Sequence, residues 1–189
     1  LTEIPSPYLT GKMDEFFDGK FQPILQTNRG CPFSCTFCVE GELYYNKVYH
    51  NSQEKVDSEL DYIGKKMEGV RKKGGGNNLL IVDSNFGMFN EDKGTCESIA
   101  RCQDEYNWPD YIHVNTGKNN KEKVLNAAKL VRGAIRLSGS VQTLDPQTLK
   151  NIKRSNISAD GLMSLAMESA EINADSRSEI ILCLPGETK

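Results

Sequence analysis

Short apolar runs alternate along this chain with longer stretches whose apolar residues recur every three to four positions. Five runs have the length and composition of buried strands, at residues 21–27, 78–83, 111–115, 134–138 and 179–184. The stretches between them carry one apolar face, as in the spacing of Val56, Leu60, Ile63, Met67 and Val70. The sequence therefore predicts the order β-α-β-α-β-α-β-α-β, an α/β fold with parallel strands and right-handed crossovers.

Periodicity alone leaves two architectures open, an open doubly wound sheet and a barrel. In both, ligands bind where the parallel strands end. Turn-forming residues mark the joints, and Asp145-Pro146 predicts the start of a short helix, since proline is tolerated in a first turn. Residues 1–20 are rich in Pro and Gly and are interpreted as a linker or N-terminal arm, which leaves residues 21–189 as one core domain.

Composition narrows the classes of partner. The net charge is −3, with Lys and Arg scattered among Asp and Glu, so no basic face for nucleic acid is expected. No run of about 18 apolar residues indicates a membrane span, and the first residues lack the zones of a signal peptide. Three of the six cysteines fall within eight residues, which is typical of metal ligands and a reducing compartment. A cytoplasmic protein is expected.

The three crowded cysteines, Cys31, Cys35 and Cys38, directly follow the first predicted strand. Ordinary cubane clusters take four thiolates, so a three-cysteine loop leaves one iron of a [4Fe–4S] cluster free to bind a small molecule. Zinc held by these thiols and a remote ligand is the alternative, although a second Cys-x2-Cys pair is missing. The fourth zinc ligand would come from Cys96, Cys102, Cys183, His50 or His113.

The pattern Cys31-x3-Cys35-x2-Cys38, with an aromatic residue at Phe37, resembles the signature of the radical S-adenosylmethionine (SAM) superfamily. The resemblance implies a partial (β/α)6 TIM-like barrel with parallel strands, here truncated after the fifth strand, so the chain is interpreted as a catalytic-core fragment. It also implies that the open iron binds the amino and carboxylate groups of SAM. Reductive cleavage then gives a 5′-deoxyadenosyl radical, which abstracts a hydrogen atom from the substrate.

The same resemblance assigns cofactor contacts near the first two strands. The backbone at Phe37 would border the adenine of SAM. Asp83 and Ser84 would meet its ammonium group at the end of the second strand, where the sequence reads Asp83-Ser84-Asn85-Phe86-Gly87 instead of the commoner Gly-Gly-Glu. A simple cap of the following turn is the alternative role for Asp83.

Further contacts are implied along the later strands. Gln142 and the following helix with Arg154 resemble segments of oxygen-independent coproporphyrinogen oxidase and of cobalamin-binding relatives, where Gln meets the ribose and Arg the carboxylate of SAM. A guanidinium suits that carboxylate because it can bind both oxygens at once. Ser140 is a weaker ribose candidate, Ile181 would pack on the adenine, and Asn115 could point into the barrel.

Residues 4–11 and 27–32 are most similar to the segment that precedes the catalytic core in cobalamin-binding radical SAM enzymes. The expected function is therefore radical modification of a small-molecule substrate, with an electron donor such as flavodoxin or ferredoxin. Cobalamin-dependent methyl transfer would use a cobalamin domain not in this chain. The alternatives are a methylthiotransferase, which would need further domains, and a non-catalytic zinc or iron–sulfur binding module.

Overall fold

The computed structural model describes residues 1–117, 119–172 and 174–187. The strands within this part of the chain are β1 (Ile24–Leu25), β2 (Asn28–Arg29), β3 (Tyr49–His50), β4 (Asn78–Ile81), β5 (Tyr111–His113), β6 (Leu137–Ser138) and β7 (Ser176–Arg177). The α-helices are α1 (Gln53–Lys72), α2 (Asp92–Tyr106), α3 (Lys121–Leu130), α4 (Pro146–Asn151) and α5 (Ala159–Glu171). Three short 3-10 helices lie at Asp14–Phe16, Val39–Gly41 and Leu43–Tyr45.

The main strands are parallel. One sheet has the order β1-β4-β5, and β6 pairs with β7 in a second parallel ladder. An isolated parallel bridge between Ile112 and Ile135 connects the two ladders. Helices α1, α2 and α3 pack their apolar faces on this framework and contribute most of the core. The α/β fold with a parallel sheet is thus confirmed.

Two parts of the predicted strand order are wrong. The last strand lies at β7 instead of residues 179–184, where Ile180 forms only a single bridge to Gln142. The backbone leaves the extended region at Cys183, whose φ is +63°, so the predicted strand cannot continue to residue 184. The sequence also gave no sign of the antiparallel pair β2–β3, which returns the chain beside β1 after the cysteine loop.

Helix ends follow capping chemistry that can be recognised in the sequence. Oδ1 of Asp145 accepts a hydrogen bond from the backbone N–H of Thr148 at 2.6 Å, so the Asp145-Pro146 pair starts α4 as predicted. Ser52 and Ser158 cap α1 and α5 in the same way.

None of the helices in the described residues is long and apolar enough to cross a membrane.

The first twenty residues lie along the edge of the domain. Tyr8 is buried, and its hydroxyl both donates to the carbonyl oxygen of Ile24 at 2.8 Å and accepts from the Ile24 N–H at 2.9 Å. These bonds satisfy the outer edge of β1, which carries the cysteine loop at its end. Tyr8 therefore holds the strand from which the candidate site begins.

Candidate functional site

Residues 30–41 form the cysteine loop, which is tied down on two sides. The N–H of Cys31 donates to the carbonyl oxygen of Tyr45 at 2.8 Å, and the N–H of Thr36 donates to that of Ile152 at the end of α4 at 3.1 Å. Backbone bonds of this kind fix the loop without using any side chain. The three cysteine side chains are therefore presented from a loop anchored by main-chain contacts.

Two glycines let the loop pass close to other backbone. A Cβ at Gly30, where φ is +111°, would lie 2.3 Å from the carbonyl oxygen of Lys47. A Cβ at Gly41 would lie 2.2 Å from the carbonyl oxygen of Cys35. Neither position can accept a side chain without moving backbone, so both glycines are required by the path of the loop.

Asp83 organises the start of this loop from the end of β4. Its buried carboxylate accepts hydrogen bonds from the N–H groups of Thr27 and Asn28 at 2.9 and 3.2 Å, from Nδ2 of Asn28 at 3.0 Å and from the Thr27 hydroxyl. Burial raises the pKa of Asp83, and the hydrogen bonds from Thr27 and Asn28 work against that rise.

The contact between Asp83 and a cofactor ammonium, expected from the sequence, is not what the structure shows. The four donors described above hold the carboxylate against Thr27 and Asn28, and Asp83 does not line the neighbouring cavity. The alternative role as a local cap is closer to the observed one, because the acceptor pairs with backbone N–H groups at a turn. The following two residues, Ser84 and Asn85, do face the cavity.

The cavity has a volume of about 430 Å³ and lies where β1, β4, β5 and β6 end. The structure brings nine of the predicted site residues together around it: Cys31, Cys35, Phe37, Cys38, Ser84, Asn115, Ser140, Gln142 and Arg154. This is the position at which parallel α/β folds bind ligands. These nine residues share one cavity, and their individual roles in binding a cofactor stay predictions.

Ile181 is outside this group. It is half-buried, its N–H donates to the carbonyl oxygen of Gln142 at 2.9 Å, and it does not line the cavity. The displacement of the last strand explains the difference, because the residue next to Gln142 in the parallel bridge is Ile180. An adenine contact from Ile181 therefore has no support in this geometry.

Two side chains reach the cysteine sulfurs. Nδ2 of Asn85 lies 3.3 Å from Sγ of Cys31, and Nη1 of Arg154 lies 3.6 Å from Sγ of Cys35. Arg154 is also held by Oδ1 of Asn156, at 2.8 Å from Nε, and its guanidinium lies 5.9 Å from the ring centroid of Phe37. A fixed positive charge thus stands beside the sulfur of Cys35 and faces the cavity.

The sequence allowed two metal centres, a zinc ion and a [4Fe–4S] cluster. The positions of the three cysteines can be compared with what each centre requires. No three His, Cys, Asp or Glu side chains in the described ranges lie close enough to share one metal ion. Zinc requires four ligands within about 2.3 Å of a single ion. A cubane cluster takes one thiolate per iron, so its cysteines stand further apart. Three thiols around an open cavity therefore fit a [4Fe–4S] cluster better than a closed zinc site.

The remote ligands considered for zinc lie elsewhere. Cys96 and Cys102 are in the hydrophobic core, where burial raises the pKa of both thiols, that of Cys102 to about 11. Cys183 is exposed, His50 packs against Phe89, and His113 packs against Tyr111. None of these five residues lines the cavity with the cysteine loop.

Sequence reasoning missed two carboxylates that line the cavity. Glu40 follows Cys38 by two residues, and its Oε1 accepts from Oγ of Ser84 at 2.8 Å. Glu179 accepts from Oγ of Ser140 at 2.9 Å through its Oε2. The nearness of Glu40 to the third cysteine was a usable signal in the sequence. No such signal existed for Glu179, because its position at the cavity depends on the displaced last strand.

Gln142 enters the cavity on a strained backbone. Its φ is +64°, although it is not glycine, and its N–H donates to the carbonyl oxygen of Glu179 at 2.8 Å. Left-handed conformations of long side chains are costly and are often found at binding sites. The strain is consistent with a binding role for Gln142.

Comparison with known proteins identifies the family. The profile of the Radical SAM superfamily matches residues 25–189. The chain is 32% identical over its whole length to the cobalamin-dependent radical SAM methyltransferase TokK of Streptomyces tokunonensis. It is 31% identical, over 98% of its length, to the 2-(S-pantetheinyl)-carbapenam-3-carboxylate methyltransferase of Streptantibioticus cattleyicolor. The chain spans 28% of the length of each relative.

Solved structures share the fold. The radical SAM methyltransferase TsrM of Kitasatospora setae, with tryptophan and a SAM analogue bound, superposes with a TM-score of 0.68 and 16% identity, over 93% of this chain and 33% of that one. The cobalamin-dependent SAM radical enzyme OxsB superposes with a TM-score of 0.60 and 18% identity, over 92% of this chain and 25% of that one. These superpositions show a shared fold. The profile match, which covers most of the chain, shows that the chain belongs to the radical SAM superfamily of enzymes.

Proposed function

We propose that Cys31, Cys35 and Cys38 hold a [4Fe–4S] cluster and that the adjoining cavity binds SAM. The observation that carries this proposal is the single cavity lined by all three thiols and by the guanidinium of Arg154. When bound, the cluster supplies the electron that splits SAM to a 5′-deoxyadenosyl radical. The protein's own part is to bind, orient and shield the reacting groups.

The polar residues of the cavity match the parts of SAM. Arg154 would bind the carboxylate of its methionine part, because a guanidinium can donate to both oxygens. Ser140 and Gln142 would bind hydroxyl groups of the ribose, the backbone at Phe37 would border the adenine, and Asn115 would contact the cofactor from the end of β5. These five contacts extend from the cysteine loop across the strand ends.

The wider architecture is proposed to be part of a (β/α)6 TIM-like barrel. Parallel pairing throughout the main strands and the bridge between Ile112 and Ile135 support a continuous curved sheet. The domain is proposed to begin near residue 21, with residues 1–20 as the arm bound along β1 through Tyr8. The profile match beginning at residue 25 supports this boundary.

The reaction of the whole protein is proposed to be radical methylation of a small molecule with cobalamin bound by a part of the protein outside this sequence. Similarity to two methyltransferases, one of them named for cobalamin dependence, supports this class. The electron is proposed to come from a flavodoxin or ferredoxin. The alternatives are methylthiotransfer and a zinc-binding module. The following experiment distinguishes them from the proposed function.

The test is anaerobic reconstitution with iron and sulfide, followed by reduction in the presence of SAM and measurement of 5′-deoxyadenosine and of methylated product. About four irons per chain and cofactor cleavage are expected. The variants Cys31→Ala, Cys35→Ala and Cys38→Ala should lose the cluster. Cys183→Ala is the matched control, because that cysteine is exposed and lies outside the cavity. Stoichiometric zinc that survives Cys35→Ala would overturn the proposal.

A further inference from the structure

The parallel strands carry a second cavity on the inner face of the sheet, beside the one proposed for SAM. Along β4, β5 and β6 every other residue faces the helices and is buried in the core: Leu79, Ile81, Ile112 and Leu137. The residues between them face the other side, where they line a cavity of about 260 Å³, here called the inner cavity. Val82 and Asn115 line both cavities, so the two adjoin.

Strand pairing sets the polar side chains of the inner cavity at two levels. Leu80 pairs with His113, and the parallel bridge from β5 to β6 puts His113 beside Arg136. Two residues further along β6, Ser138 pairs with Arg177 and lines the cavity proposed for SAM. Two guanidinium groups therefore come from neighbouring strands at successive levels, and Arg177 is the nearer one to the proposed SAM site.

The inner cavity is cationic, and no carboxylate of the described residues lines it. Nη2 of Arg136 lies 3.0 Å from Oδ2 of Asp175, and its guanidinium lies 5.6 Å from the ring centroid of Tyr111. The side chain of Arg177 donates no hydrogen bond within the described part of the chain, and its Nη2 lies 3.5 Å from Oε1 of Glu179. A guanidinium has five N–H donors, so both arginines keep donors for a ligand.

This lining differs from that of a packed barrel, whose interior is filled by layers of branched apolar side chains. Leu80 and Val82 supply such an apolar wall from the β4 side, whereas Arg136 and Arg177 stand on the β6 and β7 side. The two arginine side chains are 42% and 46% exposed, so they are open to a ligand. An apolar wall opposite two cations fits a small molecule that has an apolar body and an anionic group.

We propose that Arg136 and Arg177 bind an anionic group, a carboxylate or a phosphate, of the small-molecule substrate in the inner cavity. This inference rests on the proposed function and names the chemical class of its substrate. A guanidinium suits either anion because it can donate to two oxygens at once. A substrate anchored there extends past Val82 and Asn115 toward the proposed SAM site. The arginines thus fix which part of the substrate faces that site.

The experiment measures the binding of three probes of similar size to the full-length protein, reconstituted with iron and sulfide and saturated with SAM. The probes are 4-fluorobenzoate, 4-fluorophenyl phosphate and the neutral 4-fluorobenzamide, and titration followed by fluorine NMR gives the Kd of each. Saturating SAM occupies Arg154 under the proposed function, which leaves the inner cavity to the anions. At least one anion should bind more tightly than the amide, and the tighter of the two identifies the preferred group.

Arg136→Gln and Arg177→Gln should each weaken the binding of that anion by about tenfold, since a hydrogen bond between charged groups is lost. Arg177→Lys keeps the charge but not the planar fork, so its loss should be smaller. Binding of the amide should be unchanged in all three variants. Arg132→Gln is the matched control, because Arg132 is also exposed and paired with an aspartate, Asp104, but does not line the inner cavity.

Iron content and bound SAM are measured on every variant to show that the cluster site and the SAM cavity are intact. The preference of the unaltered protein for an anion is a test that needs no variant. Equal binding of the anions and the amide, or an equal loss in Arg132→Gln, would overturn the role of the two arginines while SAM binding stands. Unaltered protein that carries the cluster but binds no SAM would overturn the proposed function and this inference together.

Discussion

Nη1 of Arg154 lies 3.6 Å from Sγ of Cys35, although the two residues are 119 positions apart in the chain. The guanidinium also donates through Nη2 to the carbonyl oxygen of Ser140 at 2.5 Å. A single side chain thus joins the cysteine loop to the end of the β6 segment. The proposed site for the carboxylate of SAM depends on this side chain, which also borders the proposed cluster site.

Replacing Arg154 by glutamine should weaken SAM binding while leaving the cluster in place. Loss of a charge-assisted, two-pronged hydrogen bond is expected to raise the Kd by about tenfold to a hundredfold. Arg154→Lys keeps the charge but not the planar fork, so it should restore only part of the affinity. The measurement is equilibrium dialysis of SAM with iron counted per chain. Lys150→Gln, exposed on α4, is the control, and an equal effect there would contradict the assignment.

Gly41→Ala should reduce cluster incorporation because of a backbone clash. The added Cβ would lie 2.2 Å from the carbonyl oxygen of Cys35, so one of the cysteine ligands must move. Gly69→Ala is the matched control, since no atom lies within 4 Å of the added Cβ on α1, and the helix should gain about 0.5–1 kcal/mol. Iron per chain and the free energy of unfolding are measured for both. Normal iron content in Gly41→Ala would show that cluster incorporation does not require this path of the loop.

Local patterns in the sequence predicted much of this site. The helices and most strands follow from apolar periodicity, because one face of each element is buried. The position of the cysteines and Ser84 at one cavity follows from the rule that parallel strands end at one edge, whereas Arg154, which follows α4, was assigned by the family resemblance. These are properties of short segments and of the order in which they occur.

The rest could not be predicted because it depends on contacts between distant segments. Whether Asp83 faces the cavity or the start of the cysteine loop is decided by donors on Thr27 and Asn28, over fifty positions away. Ile181 was assigned from a strand whose pairing is ended by the left-handed backbone at Cys183. For Glu40 the sequence offered only its nearness to Cys38, because a loop residue has no periodic pattern that says where its side chain points.

Asp83→Ala should destabilise the protein more than Asp83→Asn. The alanine variant leaves the buried N–H groups of Thr27 and Asn28 without an acceptor, at about 1–3 kcal/mol for each unsatisfied group. Asparagine retains one carbonyl oxygen and should recover part of this loss. The free energy of unfolding in urea measures both. Equal stability of Asp83→Ala and the unaltered protein would remove its role in organising the loop.

Asp92 should make stability depend on pH. It lies buried at the start of α2, beside a second cavity between α2 and α3, and Oδ2 accepts from the Phe89 N–H at 2.9 Å. Burial raises its pKa to about 7 from an unfolded value near 3.8. The folded state therefore holds the proton of Asp92 more tightly, so the contribution of Asp92 to stability is greatest at low pH and falls as pH rises toward about 7, by about 1.4 kcal/mol per pH unit.

Asp92→Asn should remove this dependence, because an asparagine oxygen can still accept from Phe89 but the side chain does not titrate. The measurement is the free energy of unfolding of both proteins in urea between about pH 5 and pH 8. All other titrating groups are shared, so the difference between the two curves isolates Asp92. The unaltered protein should lose stability relative to the variant as pH rises, and the difference should level off above about pH 7. Parallel curves across the range would show that Asp92 is ionised throughout.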